Sequence, residues 1–337
     1  MRGPARLALL SAVVGLGGCE GMQSALDPKG PDAAALASLI WFFTWVSAVV
    51  WVLVMLALAA AVLWRRWAPP PADPLATDPA TDRRAGFVVG GAVGATILIL
   101  LVLTGISFFT QQALTAPQQD ELVIRVTGHQ WWWDVRYEDP DPSQTFNTAN
   151  EIHIPTDRSV RLILTSADVI HSFWVPALGG KMDLIPAREN DLRLSTLRPG
   201  IYRGQCAEFC GYQHAHMSLF VVAEAPADFE AWRARQIAAA EQPDDALRKQ
   251  GQELFLSRPC IVCHTIRGTP AGSRAGPELT HVGSRQSIAA GTLPMSRGNL
   301  AAWIVDPQGI KPGAKMPTLK LGPGEANAIA AYLEGLQ

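Results

Sequence analysis

The sequence predicts a multidomain chain: an N-terminal transmembrane α-hairpin, an all-β domain of roughly 100 residues, and a small all-α domain at the C-terminus. Three observations predict it. Two long runs, Leu36–Trp64 and Gly86–Thr110, hold no charged residue. Short strand-like segments separated by turn signals fill residues 120–225. A Cys-x-x-Cys-His motif lies between helical patterns in residues 245–337. Composition agrees: 48% of the 337 residues are hydrophobic and only 17% charged, an imbalance that membrane spans explain. A formal net charge of −2 gives no nucleic-acid footprint.

Residues 1–19 read as an export signal. Arg2 and Arg6 precede a short apolar run, Leu7–Leu16, which falls well under the roughly 20 residues that span a bilayer. The run ends in L-G-G-C, in the manner of a lipoprotein signal with Cys19 as the lipidated first residue. An ordinary cleaved signal and an uncleaved anchor are the alternatives.

The membrane hairpin is assigned to residues 33–112. Both uncharged runs are long enough to cross. Trp41 and Trp45 at one end of the first run, and Trp64 and Trp67 at the other, fit interfacial belts. Gly86, Gly90, Gly91 and Gly94 would let a neighbouring helix approach closely, although membrane helices also tolerate Gly without that reason. Arg65, Arg66, Arg83 and Arg84 flank the connection, whose Pro-rich stretch P-P-P-A-D-P-L-A-T-D-P reads as extended. The positive-inside rule puts this connection in the cytoplasm. Both hairpin ends, and the soluble domains, then lie outside. That makes the chain a multi-pass protein of the bacterial inner membrane with periplasmic domains, the side that an export signal also requires.

The β-rich region contains E-L-V-I-R-V-T-G, E-I-H-I-P, V-R-L-I-L-T, L-R-L-S-T and M-S-L-F-V-V-A-E. This many short strands point to a sandwich or barrel. In G-H-Q-W-W-W, Gly128–Trp133, three consecutive tryptophans cannot all face the core, because strand side chains alternate. At least one reaches the surface or a partner. His129 and His153 are read as structural. Residues 226–244 carry a helical pattern, Asp228–Glu241, closed by Gln242-Pro243, and read as a tether to the last domain.

The chemistry concentrates in C-A-E-F-C-G-Y-Q-H-A-H-M, Cys206–Met217. The chain has five cysteines, and two of them lie here, four apart, followed by His214 and Met217. Thiolate, imidazole and thioether form a soft ligand set suited to copper. A Cys206–Cys210 disulfide, a zinc site, or Met217 as core filler are the plainer readings. His171, in S-A-D-V-I-H-S-F-W-V-P after a strand-like run, is the candidate further ligand.

Taken together, C-x-E-x-C-x3-H-x2-M preceded by D-V-x-H-S-F-W-V-P resembles subunit II of the haem–copper oxidases, which carries the binuclear copper centre CuA. The resemblance implies a cupredoxin fold. It implies bridging thiolates at Cys206 and Cys210, and terminal ligands at His171, His214, Met217 and the carbonyl of Glu208. The Glu208 carboxylate would also reach a magnesium ion shared with subunit I. His216 lies outside the pattern. Trp131 would lie on the route by which electrons reach the copper, and Lys181–Asn190 (K-M-D-L-I-P-A-R-E-N) would face subunit I, with Ala187 where Gly is usual. The second membrane helix departs from the family, since it begins D-R-R-A-G-F without the usual Glu and Trp-Thr. Asp82 is a weak substitute for the carboxylate at the proton-channel mouth.

C-I-V-C-H, Cys260–His264, is the c-type haem attachment signature: two thiols add to the haem vinyl groups and the imidazole binds iron. Zinc and redox sites share the C-x-x-C spacing. With K-M-P at Lys315–Pro317 and an amphipathic helix upstream, residues 245–337 resemble a class I cytochrome c. That resemblance implies axial ligands His264 and Met316, with the Pro277 carbonyl orienting His264. Met295 is the competitor, without the Gly/Pro-rich loop around Met316. His281 is expected near the haem edge or solvent.

The whole resemblance implies subunit II of a proton-pumping caa-type cytochrome c oxidase, working with subunits I and III. Cytochrome c or another donor would reduce haem c. Electrons would pass to CuA and on to subunit I, where oxygen is reduced, so this chain alone would not reduce oxygen. A membrane-anchored copper and haem shuttle for another terminal reductase is the alternative, and a copper-delivery protein a third reading. The K-M-D-L-I-P loop and Glu208 argue against the shuttle, and a delivery protein favours exposed, exchangeable ligands and has no need of a covalent haem.

Overall fold

The computed structural model describes residues 21–67, 78–118, 120–156 and 158–337. The expected export signal with Cys19, and most of the Pro-rich connection, lie outside the described residues. Ala35–Ala116 form one compact unit; the residues up to Ala34, with Pro117–Gln337, form another.

The first unit is a pair of helices, α1 (Pro31–Trp67) and α2 (Pro79–Leu114). At ~1.5 Å per residue each is about 55 Å long, more than the ~30 Å hydrocarbon core of a bilayer. Asp78 caps α2 by accepting from the N–H groups of Ala80 and Thr81, and Pro79 sits at the first helical position, where its missing N–H is harmless. Both helices are long and apolar enough to cross a membrane, and neither buries its hydropathic stretch against protein.

The second unit begins with ten strands in two five-stranded sheets. One has the order β3 (Phe146–Ala149), β2 (Trp132–Glu138), β1 (Leu122–His129), β5 (Val160–Ser166), β8 (Asn190–Leu194). The other runs β4 (Glu151–Pro155), β10 (Ser218–Glu224), β9 (Gly200–Cys206), β6 (His171–Trp174), β7 (Met182–Leu184). Side chains of β1 and β2 alternate between buried and half-buried, the period of two that places one face on a core. Trp133, Tyr137, Phe173, Ile124, Ile152 and Leu162 fill the space between the sheets. This is the cupredoxin-like sandwich.

Two segments join this domain that the sequence pattern assigns elsewhere. Residues after Cys19 pack on it: Lys29 N donates to the Ala177 carbonyl (2.8 Å) and Thr196 Oγ1 to the Lys29 carbonyl (2.7 Å). The helix read as a tether, α3 (Pro226–Ile237), buries Phe229 and Trp232 in the copper-domain core. Trp232 stacks on His153 at 4.0 Å, and Arg233 pairs with Asp139 at 2.6 Å. The helix stops at Ile237, short of the pattern. Residues 238–240 bond instead to the next domain, where Ala240 N donates to the Arg267 carbonyl (3.0 Å) and Ala240 enters the core.

The C-terminal domain is built on α4 (Ala246–Ser257), α5 (Arg297–Val305), the short α6 (Pro307–Ile310) and α7 (Pro323–Glu334). A two-residue ladder, β11 (Ser287–Ile288) with β12 (Leu293–Pro294), is its only sheet among the described residues. Helices α4 and α7 cross at Gly251, where an added Cβ would stand 2.0 Å from the Ala328 carbonyl oxygen. No side chain fits there, so glycine permits the crossing.

Candidate metal and haem sites

Three adjacent strands deliver the candidate copper ligands to one end of the sandwich. His171 opens β6, Cys206 ends β9, and Met217 immediately precedes β10. The β6–β9 register sets Phe173 opposite Cys206. Cys206 N donates to the Met217 carbonyl (2.9 Å) and Ala207 N to the Ser172 carbonyl (2.9 Å), so the ends of the loop are pinned to its neighbours.

The donor atoms converge. Cys206 Sγ lies 3.1 Å from the Glu208 carbonyl oxygen, 3.7 Å from Cys210 Sγ and 3.9 Å from His171 Nδ1. Cys210 Sγ lies 3.7 Å from His214 Nδ1 and 3.9 Å from Met217 Sδ. Both thiols are free and far beyond the ~2.0 Å of a disulfide bond. His171, Cys206 and Cys210 are buried, with one donor atom each inside a 4.8 Å cluster. His216 Nδ1 bonds instead to Gln213 Oε1 (2.7 Å).

The electrostatics favour a cation here. The thiol pair releases its first proton readily: the Cys210 thiol and the His171 imidazole hold the Cys206 sulfur at about 3. The second proton is held far more strongly, because Cys210 would ionise beside a thiolate. His171 Nε2 donates to Asp168 Oδ1 (2.9 Å), which leaves the Nδ1 lone pair facing Cys206. Burial pushes the Asp168 carboxyl up, but His171 and the N–H groups of Gln130 and Val169 outweigh it and hold it at about 2. Soft donors with inward lone pairs and two mutually repelling thiolates fit copper.

Trp131 sits in the β1–β2 turn and is 9% exposed. Its Nε1 donates to the Cys210 carbonyl (3.0 Å), as does Gln130 Nε2 (2.9 Å). Trp133 is in the core, and Trp132 is the tryptophan of the three left half-buried, stacked on His129 at 4.5 Å.

In the C-terminal domain Cys260, Cys263 and His264 sit on a 3-10 turn (Pro259–Val262) and the residues after it. His264 Nδ1 is 2.7 Å from the Pro277 carbonyl oxygen. A carbonyl only accepts, so Nδ1 carries the proton and the Nε2 lone pair is free for iron. Met316 packs against the domain core, held through its carbonyl by Gln308 Nε2 (2.8 Å), and Met295 packs on the same core. A partly buried apolar set including Leu256, Leu279, Leu293 and Trp303 surrounds the core. Free thiols, an oriented imidazole and an incompletely covered apolar interior fit a covalently held haem.

His281 corrects an expectation. It is buried, away from solvent, with Nδ1 2.6 Å from the Gln337 carbonyl and Nε2 3.1 Å from the Ala238 carbonyl, so it joins the chain end to the segment after α3. Two participants escaped sequence reasoning. Asp168 stands three residues before His171 inside the quoted motif and could have been found there. Lys311 could not: a lone lysine in I-K-P reads as surface. It is buried at the seam of the two domains, where desolvation pushes its amine down to about 7.

Helical membrane anchor, cupredoxin-like domain and haem-type domain in one chain define a membrane-anchored electron-transfer protein. Comparison with known proteins narrows the class. The family model for the periplasmic domain of cytochrome c oxidase subunit II matches residues 141–224, and that for cytochrome c matches residues 249–337. Cytochrome c oxidase subunit 2 of Alkalihalophilus pseudofirmus is 36% identical over 331 residues, 96% of this chain and 94% of that protein. Its counterpart from Bacillus subtilis is 33% identical over 259 residues, 72% and 71% respectively. The solved periplasmic domain of subunit II of the Bradyrhizobium japonicum oxidase aligns at 33% identity with a TM-score of 0.33, covering 36% of this chain and 95% of that one. The chain belongs to the cytochrome c oxidase subunit II family, with a cytochrome c domain at its C-terminus. Membership implies copper in the first soluble domain and haem in the second, in a membrane-anchored oxidase subunit with a periplasmic domain.

Proposed function

We propose that the chain is the electron-accepting subunit of a proton-pumping cytochrome c oxidase and hands electrons to subunit I, where oxygen is reduced. The single observation that carries this reading is the convergence of six donor groups at one end of the sandwich. Cys206 and Cys210, with His171, His214, Met217 and the Glu208 carbonyl, would hold the two coppers. Cys260 and Cys263 would hold haem covalently, and His264 and Met316 would bind its iron. When bound, both groups supply reversible one-electron chemistry at the periplasmic face.

The residues around these groups divide the remaining work. Asp168 and Pro277 each fix one imidazole tautomer through its second nitrogen. Trp131 ties the turn it occupies to the Cys210 backbone and is the contact through which electrons reach the copper loop. In the copper loop, Phe209 and Tyr212 are 75% and 82% exposed beside the exposed Glu208. This apolar rim and the Lys181–Asn190 loop form the proposed face for subunit I, where the Glu208 carboxylate would reach a magnesium ion. Cytochrome c or another donor approaches the haem domain, and subunit III completes the complex. The two helices cross the membrane as a multi-pass anchor. The proposed division is a hairpin over residues 33–112, a copper domain over 120–225, a segment over 226–244 whose helix α3 packs into the copper-domain core, and a haem domain over 245–337.

Electron paramagnetic resonance of the oxidised, copper-loaded protein tests the assignment. The expected spectrum shows one electron shared equally by two coppers, and replacing Cys210 with Ser abolishes it. A mononuclear copper signal in the unaltered protein would overturn the bridging roles.

A further inference from the structure

The loop leading to Met316 lies on the copper domain. Lys311, at its start, is 2% exposed. Its Nζ donates to three carbonyls: Trp131 (2.8 Å), His216 (2.6 Å) and Ala289 (2.9 Å). Trp131 belongs to the β1–β2 turn, His216 to the copper loop, and Ala289 to the β11–β12 turn of the haem domain. An ammonium group has three donors and no acceptor, so all its capacity is used. Among the described residues no carboxylate lies within ion-pair distance of it.

Neighbouring contacts continue the seat. Gln213 Nε2 donates to the Pro312 carbonyl (2.8 Å). Gly313, at φ 84°, lies under the Trp131 ring, where an added Cβ would stand 3.4 Å from it. Lys315 Nζ reaches Asp168 Oδ2 (3.3 Å), the carboxylate that orients His171. Lys315 is mostly exposed, and such a pair contributes little by itself. Elsewhere the domain seam has its own bonds: Ser218 N and Oγ both donate to the Ala290 carbonyl (3.0 Å each), and Gln286 N to Glu151 Oε2 (2.8 Å).

We propose that Lys311 is a positioning residue that seats the Met316 loop on the copper loop, and that its three hydrogen bonds set the rate of electron transfer between the haem and copper sites. The proposal rests on the haem and copper assignments given above. The physical reason is the asymmetry of buried hydrogen bonds. Without the amine, the Trp131 and His216 carbonyls on the copper-domain side are left dry and unpaired, while the Ala289 carbonyl keeps only Thr292 Oγ1 (2.7 Å), and the loop lifts to let water reach them. The rest of the seam holds the domains together, so the effect is local.

The test uses the full-length chain in its oxidase complex, as wild type, Lys311→Met and the milder Lys311→Gln. Three quantities are read: the rate of intramolecular transfer from photoreduced haem to copper, both reduction potentials, and amide hydrogen exchange in residues 213–217 and 311–316. Lys311→Met is expected to slow transfer roughly tenfold or more and to speed exchange in both segments. Both potentials and the rate at which donor reduces haem stay as in wild type. Lys311→Gln moves the same readouts less. A wild-type transfer rate in Lys311→Met overturns the proposal, as does a slower rate explained by a shifted potential. If Lys311→Met does not assemble, a wild-type rate in Lys311→Gln overturns it. Absence of any haem-to-copper transfer in the wild type would sink the functional reading beneath it instead, which keeps the two failures distinct.

Discussion

Ala187 holds φ at 60°, a left-handed conformation that favours Gly. A Cβ in that region is strained by roughly 1–2 kcal/mol. A glycine there returns about 0.4–1 kcal/mol through its freer unfolded chain. Ala187→Gly is therefore expected to stabilise the protein by up to about 1 kcal/mol, and a lowered Tm would contradict this. His153 makes a pH prediction. Burial lowers its pKa, but Glu151 (3.1 Å) and Glu224 (3.0 Å) on either side outweigh burial and raise it above the unfolded value of about 6.5. Its contribution is then full below about pH 6.5 and is lost as pH rises through the folded pKa. His153→Gln should flatten the fall in Tm as pH rises above about 6.5, and an unchanged slope would show that other groups carry it. At this scale the candidate donors of the copper loop were legible, because Cys206, Cys210, His214 and Met217 lie within twelve residues. His153 and Lys311 were not, since their partners lie on strands and turns distant in sequence.

Among the elements, α3 departs furthest from its sequence reading. Its pattern marks a helix correctly, but nothing in the pattern says what it packs against. Phe229 and Trp232 belong to the same core as Trp133 and Phe173. Trp232→Ala is expected to destabilise the copper domain by about 3–5 kcal/mol, the usual range for a buried Trp or Phe. Denaturant unfolding followed by the copper signal checks this; a change confined to the haem domain would return α3 to the role of tether. The strands β1, β4, β5, β8 and β10 were readable from alternation and β-branched runs. Strand β9, which ends in Cys206, was hidden by its glycines and polar residues (G-I-Y-R-G-Q-C), and only pairing with β10 and β6 makes it a strand.

In the whole molecule, two cores built from separate sets of residues sit either side of the Lys311 seam. Loss of a haem ligand therefore leaves the copper ligands in place. Met316→Ala is expected to lower the haem potential, because a His/Met pair raises it, and to slow electron uptake while the copper spectrum persists. Trp131 lies beneath Gly313 with little surface exposed, so a soluble donor has poor access to it. Normal turnover with cytochrome c in Met316→Ala would show that donors reach the copper by another way.

Sequence alone determined the membrane segments, the β-rich class of the copper domain and the haem attachment motif, because each is written in local spacing or in runs of one chemistry; the candidate ligand sets came from the family resemblance those motifs carry. Tertiary structure alone decided which strands neighbour one another, that α3 and residues 21–34 complete the copper domain, and that the Met316 loop rests on Trp131. Those are contacts between residues far apart in sequence, 180 positions for Lys311 and Trp131 and 182 for Gln23 and Gln205. Their free energy comes from burial and hydrogen bonding that exist only once the chain has folded, so no local pattern records them.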